Sequence, residues 1–190
     1  MDLHELIKRR RTIRKFRQEP LTAAQLARYI DAARVAPSAA NMQPLKYIAV
    51  CGEDTVRRMH PLVKWAGYLA PDYNPSESEQ PAAFIAVCAD RSIRAGGYET
   101  DMGAAVENLI LSALADGVGA CWMGAIDYEK ISALLGIGGD LKLLCVVALG
   151  YSSETPEEAA ADDGVKYYVG ENGNLHVPKR ALGDVLLKTL

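Results

Sequence analysis

With 190 residues, 49% of them hydrophobic and 24% charged, the chain has the size and composition of one globular domain. Its formal net charge of −3 argues against a dedicated nucleic-acid binder, because affinity for a polyanion grows with the number of phosphates that are neutralised. No run approaches the ~20 apolar residues that span a bilayer, and residues 1–5 lack the basic-then-apolar order of a signal peptide. We therefore expect a cytoplasmic protein with neither a nucleic-acid nor a membrane partner.

The first predicted helix, residues 2–10, leads into the basic segment, which we define as residues 8–17. Seven of these ten residues are cationic, which leaves 14 of the 21 basic residues against 24 acidic ones in the rest of the chain. Charge this concentrated on an acidic body is typical of an anion-binding segment, although a solvated helix end gives the same pattern. A nucleic-acid tail and a site for one phosphate group are the other two interpretations.

A capped helix and a polar loop follow. Thr22 and Gln25 have the spacing of a capping box, and the helix that they begin ends before Pro37. The polar loop that comes next, bracketed by two prolines, is called the Pro37–Pro44 loop below.

The later elements form a sheet with helices around it. Helix 100–116 is apolar around nearly its whole circumference, so we expect it to pack against the sheet and against a second subunit. Continuous apolar runs indicate strands that are covered on both faces. The other predicted elements are strands at 47–51, 84–89, 118–125 and 143–151, one or two helices over 53–70, a proline-containing loop over 72–81, a helix at 127–135, short strands near 167–169 and 175–177, and a last helix at 181–187.

The four cysteines lie in apolar runs and include no Cys-x-x-Cys pair. We interpret Cys51, Cys88, Cys121 and Cys145 as reduced, buried side chains. No histidine is spaced to complete a zinc site with them, so we expect no metal.

Several enzyme motifs are absent from the sequence: a strand-following Gly-x-Gly-x-x-Gly, a Walker A sequence, a Gly-x-Ser-x-Gly elbow and His-Glu-x-x-His. Without a protein nucleophile or a metal, chemistry would be carried by a bound organic cofactor.

Two basic sites could hold the phosphate of such a cofactor. Guanidinium donors beside a hydroxyl suit a phosphate monoester. The first site has this composition and comprises Arg10, Arg11, Thr12 and Arg14. The second site, Lys179 and Arg180, would add to it if the two ends of the chain meet. Taken alone, such a pair is more often two solvated surface cations without a ligand.

Two neutral sites could hold a flat ring. Ser38, Asn41 and Gln43 offer the donors and acceptors that a heteroaromatic ring edge requires, although loop residues of these types often satisfy only their own backbone. Gly124 lies at the C-terminal end of the predicted strand 118–125, where its backbone N–H could approach a ring closely, although Met123 beside it could equally be a core residue.

Taken in order, these motifs resemble the nitroreductase family of FMN-dependent flavoproteins. The resemblance lies in residues 10–16, 32–44, 101–108, 117–124, 148–151 and 178–180, and it leaves residues 52–81 unmatched. It implies an α+β fold in which helices flank a central mixed sheet, and one FMN-binding domain over residues 1–190. It also implies an intertwined homodimer with FMN at the subunit interface, in which the extension 152–190 crosses to the partner subunit.

The resemblance also implies roles for individual residues. Arg10, Arg11 and Thr12 would hold the FMN phosphate together with Lys179 and Arg180, and Arg14 would reach the pyrimidine end of the flavin. The ring would be lined by Pro37, Ser38, Asn41 and Gln43 of the other subunit and by Met123, Gly124 and Ala125. As a separate hypothesis, not implied by the resemblance, the unmatched segment 64–81 caps the pocket with Trp65, Tyr68 and Tyr73 and selects the acceptor.

The reaction implied is a ping-pong transfer of hydride from NAD(P)H through FMN N5 to an electron-poor acceptor such as a nitroaromatic or a quinone. FMN would carry the chemistry, so no side chain is expected to act as a general acid or base. A flavin-binding store or sensor without turnover is the alternative.

Overall fold

The computed structural model describes residues 2–69 and 71–190. Its central sheet is built from apolar strands whose successive side chains face opposite sides. Its strands are β1 Leu45–Val50, β2 Ala83–Asp90, β3 Val118–Met123 and β4 Leu141–Tyr151, in the order β1-β2-β4-β3. Along β2, Phe84 and Ala86 face one hydrophobic cluster while Ile85 and Val87 face the other. Both faces of the sheet are therefore covered, as the apolar runs predicted.

Helices cover the two faces of this sheet. The helices of the described chain are α1 Leu3–Arg9, α2 Ala23–Arg34, α3 Glu53–Met59, α4 Glu99–Ala115, α5 Tyr128–Leu135 and α6 Leu182–Val185. Leu26 and Tyr29 of α2 pack with Leu109 of α4 on one face. Met59 of α3 and Ile131 of α5 pack on the other. The α+β arrangement predicted from sequence is therefore confirmed. None of the described helices is long and apolar enough to cross a membrane.

The pairing in the central sheet differs in one respect from the mixed sheet that was expected. All three strand pairs, β1–β2, β2–β4 and β3–β4, are antiparallel. Within residues 2–69 and 71–190, the parallel pairing at this sheet is an isolated bridge between Thr12 and Ala120 of β3. The mixed character thus rests on the basic segment and not on a full parallel strand.

Two glycines determine how closely the basic segment approaches the sheet. Gly119 of β3 and Gly150 of β4 lie opposite each other in register. A Cβ atom on Gly119 would lie 2.6 Å from Cγ1 of Ile13, and one on Gly150 would lie 2.9 Å from Cδ1 of Phe16. Ile13 and Phe16 are both buried in this position. Their burial fixes the backbone of the basic segment, and with it the cations before, between and after them, against β3 and β4.

The extension 152–190 forms a second, small sheet. Its strands are β5 Glu157–Ala160, β6 Tyr168–Val169 and β7 Leu175–Lys179, with β5 parallel and β6 antiparallel to β7. Leu175 is buried against Ala66 and Tyr73 of the same chain. The acidic residues 154–163 did not suggest a strand, because glutamate and alanine are poor strand formers.

Other differences from the sequence-based expectations are local. The helix expected over 53–70 ends at Met59 and is followed by a single 3-10 turn, His60–Leu62, because Pro61 cannot continue it; Ala70, its expected end, lies outside the described residues. The last helix is shorter than expected, and the 72–81 loop contains a 3-10 turn, Glu77–Glu79. Cys88, Cys121 and Cys145 are buried free thiols, whereas Cys51, predicted to be buried, is exposed because it follows the last residue of β1.

Candidate functional site

The side chain of Arg11 in the basic segment is largely buried, with 11% of its surface exposed. Its Nη1 donates to the carbonyl oxygens of Lys8, at 2.8 Å, and Arg10, at 2.6 Å. Its Nη2 forms an ion pair with Glu158 of β5. Its Nε is buried and has no hydrogen-bond partner among the described residues. A buried donor without an acceptor costs free energy, so an acceptor that reached this nitrogen would be stabilised.

Arg10 lies against helix α4. Its Nε is 3.3 Å from Oε1 of Glu107, and both side chains are partly exposed. A cavity of about 400 Å³ lies beside Arg11 and is lined by Lys8, Arg9, Glu154 and Glu158, among other residues. Positive and negative side chains therefore share the same small volume.

Glu154 joins the basic segment to two other parts of the chain. Its carboxylate accepts hydrogen bonds from the backbone N–H groups of Arg14 and Lys15 and from the hydroxyl of Tyr73. Burial and this hydrogen bond to Glu154 raise the pKa of Tyr73 well above its ordinary value. The guanidinium of Arg14 lies 4.7 Å from the centre of the Tyr167 ring, so its position is determined by an aromatic face.

Lys179 is the last residue of β7, in the small sheet that carries Glu158, and Arg180 follows it. In the parallel pairing of β5 with β7, Glu158 is opposite Val177 and Ala160 is opposite Lys179. Lys179 is therefore two residues further along the strand than the position opposite Glu158, which forms the ion pair with Arg11. Two residues of strand span about 7 Å. Lys179 and Arg180 are both exposed.

The Pro37–Pro44 loop is held by a buried aspartate in the first turn of α4. Asp101, 3% exposed, accepts hydrogen bonds from the Ser38 hydroxyl at 2.5 Å and from the Ala39 N–H at 3.2 Å. Ser38 in turn accepts a hydrogen bond from the Gln43 N–H at 2.9 Å. The Ser38 hydroxyl, predicted to line the flavin, thus also holds the loop together.

Asp101 is ionised for a physical reason. Burial alone would raise its pKa, but the hydrogen bonds from Ser38 and Ala39 and the charge of Arg94 together hold that pKa below its ordinary value. Sequence reasoning did not single out Asp101; the available signal was an acidic residue at the start of an otherwise apolar helix.

The same loop carries backbone strain. Ala40, Asn41 and Gln43 have φ angles of 51°, 53° and 52°, in the left-handed region that costs a residue with a side chain about 1–2 kcal/mol. Gln43 Nε2 donates to the Asn41 carbonyl at 3.1 Å. Beside the loop lies a cavity of about 200 Å³ that is lined by Pro37, Ser38, Gln43 and Tyr47, among other residues. Strain beside a cavity is common at ligand sites.

The two residues that follow β3 are hydrogen-bonded to the 60–66 region and to helix α5. Lys64 N–H donates to the Ala125 carbonyl at 2.9 Å, and the hydroxyl of Tyr128 donates to the Gly124 carbonyl at 2.8 Å. Met123 is buried, whereas Gly124 and Ala125 are exposed. The two residues predicted to approach the flavin ring are thus accessible on a fixed backbone.

The three aromatic residues of the 64–81 segment lie in different surroundings. Trp65 is 4% exposed and packs edge-on to Phe16, and Tyr73 is 9% exposed beneath the extension. Tyr68 is 59% exposed, with its ring 4.9 Å from that of Tyr167. Of the three, Tyr68 is therefore the exposed one, although Nζ of Lys166 lies over its ring, 5.7 Å from the centre.

Within one chain, helix α4 contacts both the Pro37–Pro44 loop and the basic segment. Asp101 holds the loop and Glu107, six positions further along the helix, contacts Arg10, so the two residues are separated along the axis by about 9 Å. In the part of the chain that the structure describes, no three His, Cys, Asp or Glu side chains cluster as metal ligands would.

Comparison with known proteins identifies the family. Residues 7–151 match the model of the nitroreductase family. A protein of Archaeoglobus fulgidus, provisionally named NADH dehydrogenase/NAD(P)H nitroreductase, is 30% identical over an alignment of 166 residues that covers 84% of this chain and 90% of that protein. The NADPH-flavin oxidoreductase of Vibrio harveyi is 25% identical, and the match covers 80% of this chain and 67% of that protein.

A solved structure shows the same fold. This protein, from Desulfovibrio desulfuricans, is described as a nitroreductase in complex with FMN. It superposes with a TM-score of 0.73 at 19% identity and covers 100% of this chain and 98% of its own. The resemblance seen in the sequence motifs and the expected fold are confirmed, and the chain belongs to the nitroreductase family.

Proposed function

We propose that the protein is an FMN-dependent oxidoreductase that transfers hydride from NAD(P)H to an electron-poor acceptor, such as a nitroaromatic or a quinone, in a ping-pong reaction. Membership of the nitroreductase family and the oxidoreductase relatives support this proposal. The observation that carries it is Arg11, whose buried Nε lacks an acceptor in residues 2–69 and 71–190 and which lies beside a cavity of about 400 Å³.

The residues of the phosphate site fit FMN. Arg10 and Arg11 supply guanidinium donors, Thr12 supplies a hydroxyl, and Lys179 ends a strand of the neighbouring small sheet, with Arg180 following it. Arg14, held against Tyr167, would stabilise negative charge at the pyrimidine end of the ring. These residues bind and orient the cofactor and tune its charge, but none needs to accept a proton.

The ring site would be completed by a second subunit. Pro37, Ser38, Asn41 and Gln43 of one subunit would line the ring bound by Met123, Gly124 and Ala125 of the other. When bound there, FMN supplies the hydride acceptor and donor of both half-reactions. The segment 64–81, in which Tyr68 is exposed while Trp65 and Tyr73 are buried, would limit the acceptors that reach the ring.

Two exposed apolar surfaces support the homodimer. On α4, Leu111 and Leu114 are only half-buried although the opposite side of the helix is packed against the sheet. Beyond β7, Leu182, Leu187 and Leu190 are 73%, 91% and 103% exposed. Exposed apolar side chains are found at interfaces, and we propose that the 152–190 extension reaches the partner subunit through its last residues.

The spectrum of the purified protein tests the cofactor, and its reduction tests the activity. We expect flavin absorption bands, loss of the bands on anaerobic addition of NADH or NADPH, and their return on addition of a quinone or nitroaromatic. A colourless protein that does not bind added FMN would contradict the proposal. A yellow protein that neither nicotinamide bleaches would instead be a flavin store or sensor.

A further inference from the structure

We propose that Glu158 is a competing counter-ion for Arg11, and that the phosphate of the cofactor must displace it to bind. Glu158 would then set the affinity of the site for phosphorylated flavin without affecting unphosphorylated flavin. This inference rests on the FMN site proposed above, and it concerns a residue that the sequence motifs did not include.

The geometry of Arg11 leaves few donors for a phosphate. Both hydrogens of Nη1 are directed to the carbonyl oxygens of Lys8 and Arg10, which belong to the same turn of chain. These bonds fix the plane of the guanidinium. Nη2 and the buried Nε are the remaining donors, and Nη2 contacts the carboxylate of Glu158.

The two partners differ in burial, which decides which one moves. The Arg11 side chain is 11% exposed, whereas that of Glu158 is 53% exposed. Glu158 can therefore rotate into water at little cost, while Arg11 cannot leave its position without breaking its carbonyl contacts. A phosphate monoester that carries about two negative charges offers more acceptor oxygens than one carboxylate and can bind Nη2 and Nε together.

Glu107 is placed in the same way against Arg10, at 3.3 Å, but both side chains of that pair are more exposed than Arg11. Screening by water weakens such a pair. We therefore assign the larger effect to Glu158.

The experiment compares Glu158→Gln with Glu157→Gln, a matched control. Glu157 is the preceding residue of β5, carries the same charge, and contacts Asn174 and not an arginine. Each protein, with bound flavin removed, is titrated with FMN and with riboflavin, and dissociation constants are read from the quenching of flavin fluorescence.

We expect E158Q to bind FMN about fivefold more tightly than the wild type, the upper range for a partly exposed ion pair, and to bind riboflavin with unchanged affinity. E157Q should match the wild type for both flavins. Glu107→Gln should change FMN affinity in the same direction but less.

Three results would overturn the inference. Equal FMN affinity of E158Q and wild type would show that the carboxylate does not compete. Weaker binding of FMN by E158Q would show that Glu158 positions Arg11 instead. Both of these would leave the proposed function intact, whereas a wild-type protein that binds neither flavin would overturn the function and the inference together.

Discussion

At Gly119, the distance of 2.6 Å from a Cβ atom to Cγ1 of Ile13 leaves no space for a methyl group. Ile13 is buried and its N–H donates to the Ala120 carbonyl at 3.0 Å, so it cannot move aside without losing this hydrogen bond. The glycine is therefore required by the approach of the basic segment and not by an unusual backbone angle.

Replacement of this glycine should make the protein less stable. We expect Gly119→Ala to lower the free energy of unfolding by about 1–3 kcal/mol, the usual cost of overpacking. Gly138→Ala, at an exposed position with nothing within 4 Å of the new Cβ, is the control and should change it by less than about 1 kcal/mol. Urea denaturation measures both variants, and an equal effect at the two positions would contradict the packing argument.

Asp101 gives a pH-dependent prediction. A carboxyl whose pKa is lowered by folding stabilises the protein above the unfolded-state pKa of about 4, and this contribution is lost as the pH falls through the lowered pKa. Asp101→Asn should cost about 1–3 kcal/mol at pH 7, because an amide cannot accept from all of the same donors. The difference from wild type should shrink towards pH 3, and a difference independent of pH would contradict ionisation of Asp101.

At the scale of elements, the Pro37–Pro44 loop combines strain with support. Its left-handed residues are restrained by the bonds of Ser38 to Asp101 and to the Gln43 N–H. The loop is therefore pre-formed at the N-terminal end of α4, beside a cavity of about 200 Å³.

Relief of the strain should be measurable. We expect Ala40→Gly, at φ 51°, to raise the free energy of unfolding by about 1 kcal/mol, since glycine adopts this angle without steric cost. Ala39→Gly, one residue earlier and without a positive φ, should lower it by about 0.5–1 kcal/mol. Thermal denaturation of both variants checks the opposite signs, and two shifts in one direction would contradict the assigned backbone strain.

The central elements could be predicted from the sequence because their signals are local. Apolar runs indicated the four strands of the central sheet, and the Thr22 capping box is present as expected. β5 could not be predicted, because it forms through parallel pairing with β7, nearly twenty residues later. Glu154 and Glu158 escaped notice for the same reason: their partners lie about 140 residues away along the chain.

The parts of the candidate site divide in the same way. The cations of residues 10–14 and the polar loop could be identified from composition and spacing, but the carboxylates that contact them could not. Burial of Trp65 and Tyr73, which leaves Tyr68 as the accessible ring, depends on packing against Phe16 and Leu175. The assignment of individual residues to the flavin stays a prediction.

At the scale of the whole molecule, the proposed site needs two subunits. We expect a solution mass of twice the 20.6 kDa of one chain. Leu111→Glu on the half-buried side of α4 should give monomers and, with them, at least a tenfold loss of FMN affinity, because the loop of the second subunit is lost. Light scattering and flavin titration measure the two effects.

The control for this variant is Ala133→Glu, which places the same charge on the exposed side of α5, on the other face of the sheet. It should keep the dimer and the flavin. Monomeric Leu111→Glu protein with wild-type FMN affinity would show that one chain suffices for binding.

The position of the basic segment has one more consequence, for solubility. In the order β1-β2-β4-β3, strand β3 is an outer strand, and an outer strand with free backbone groups is a template for pairing with another chain. Thr12 and Ile13 pair with β3 at Ala120 and occupy part of that template, while the cations around them repel other copies of the segment. The residues proposed to bind a phosphate thus also protect the sheet from aggregation.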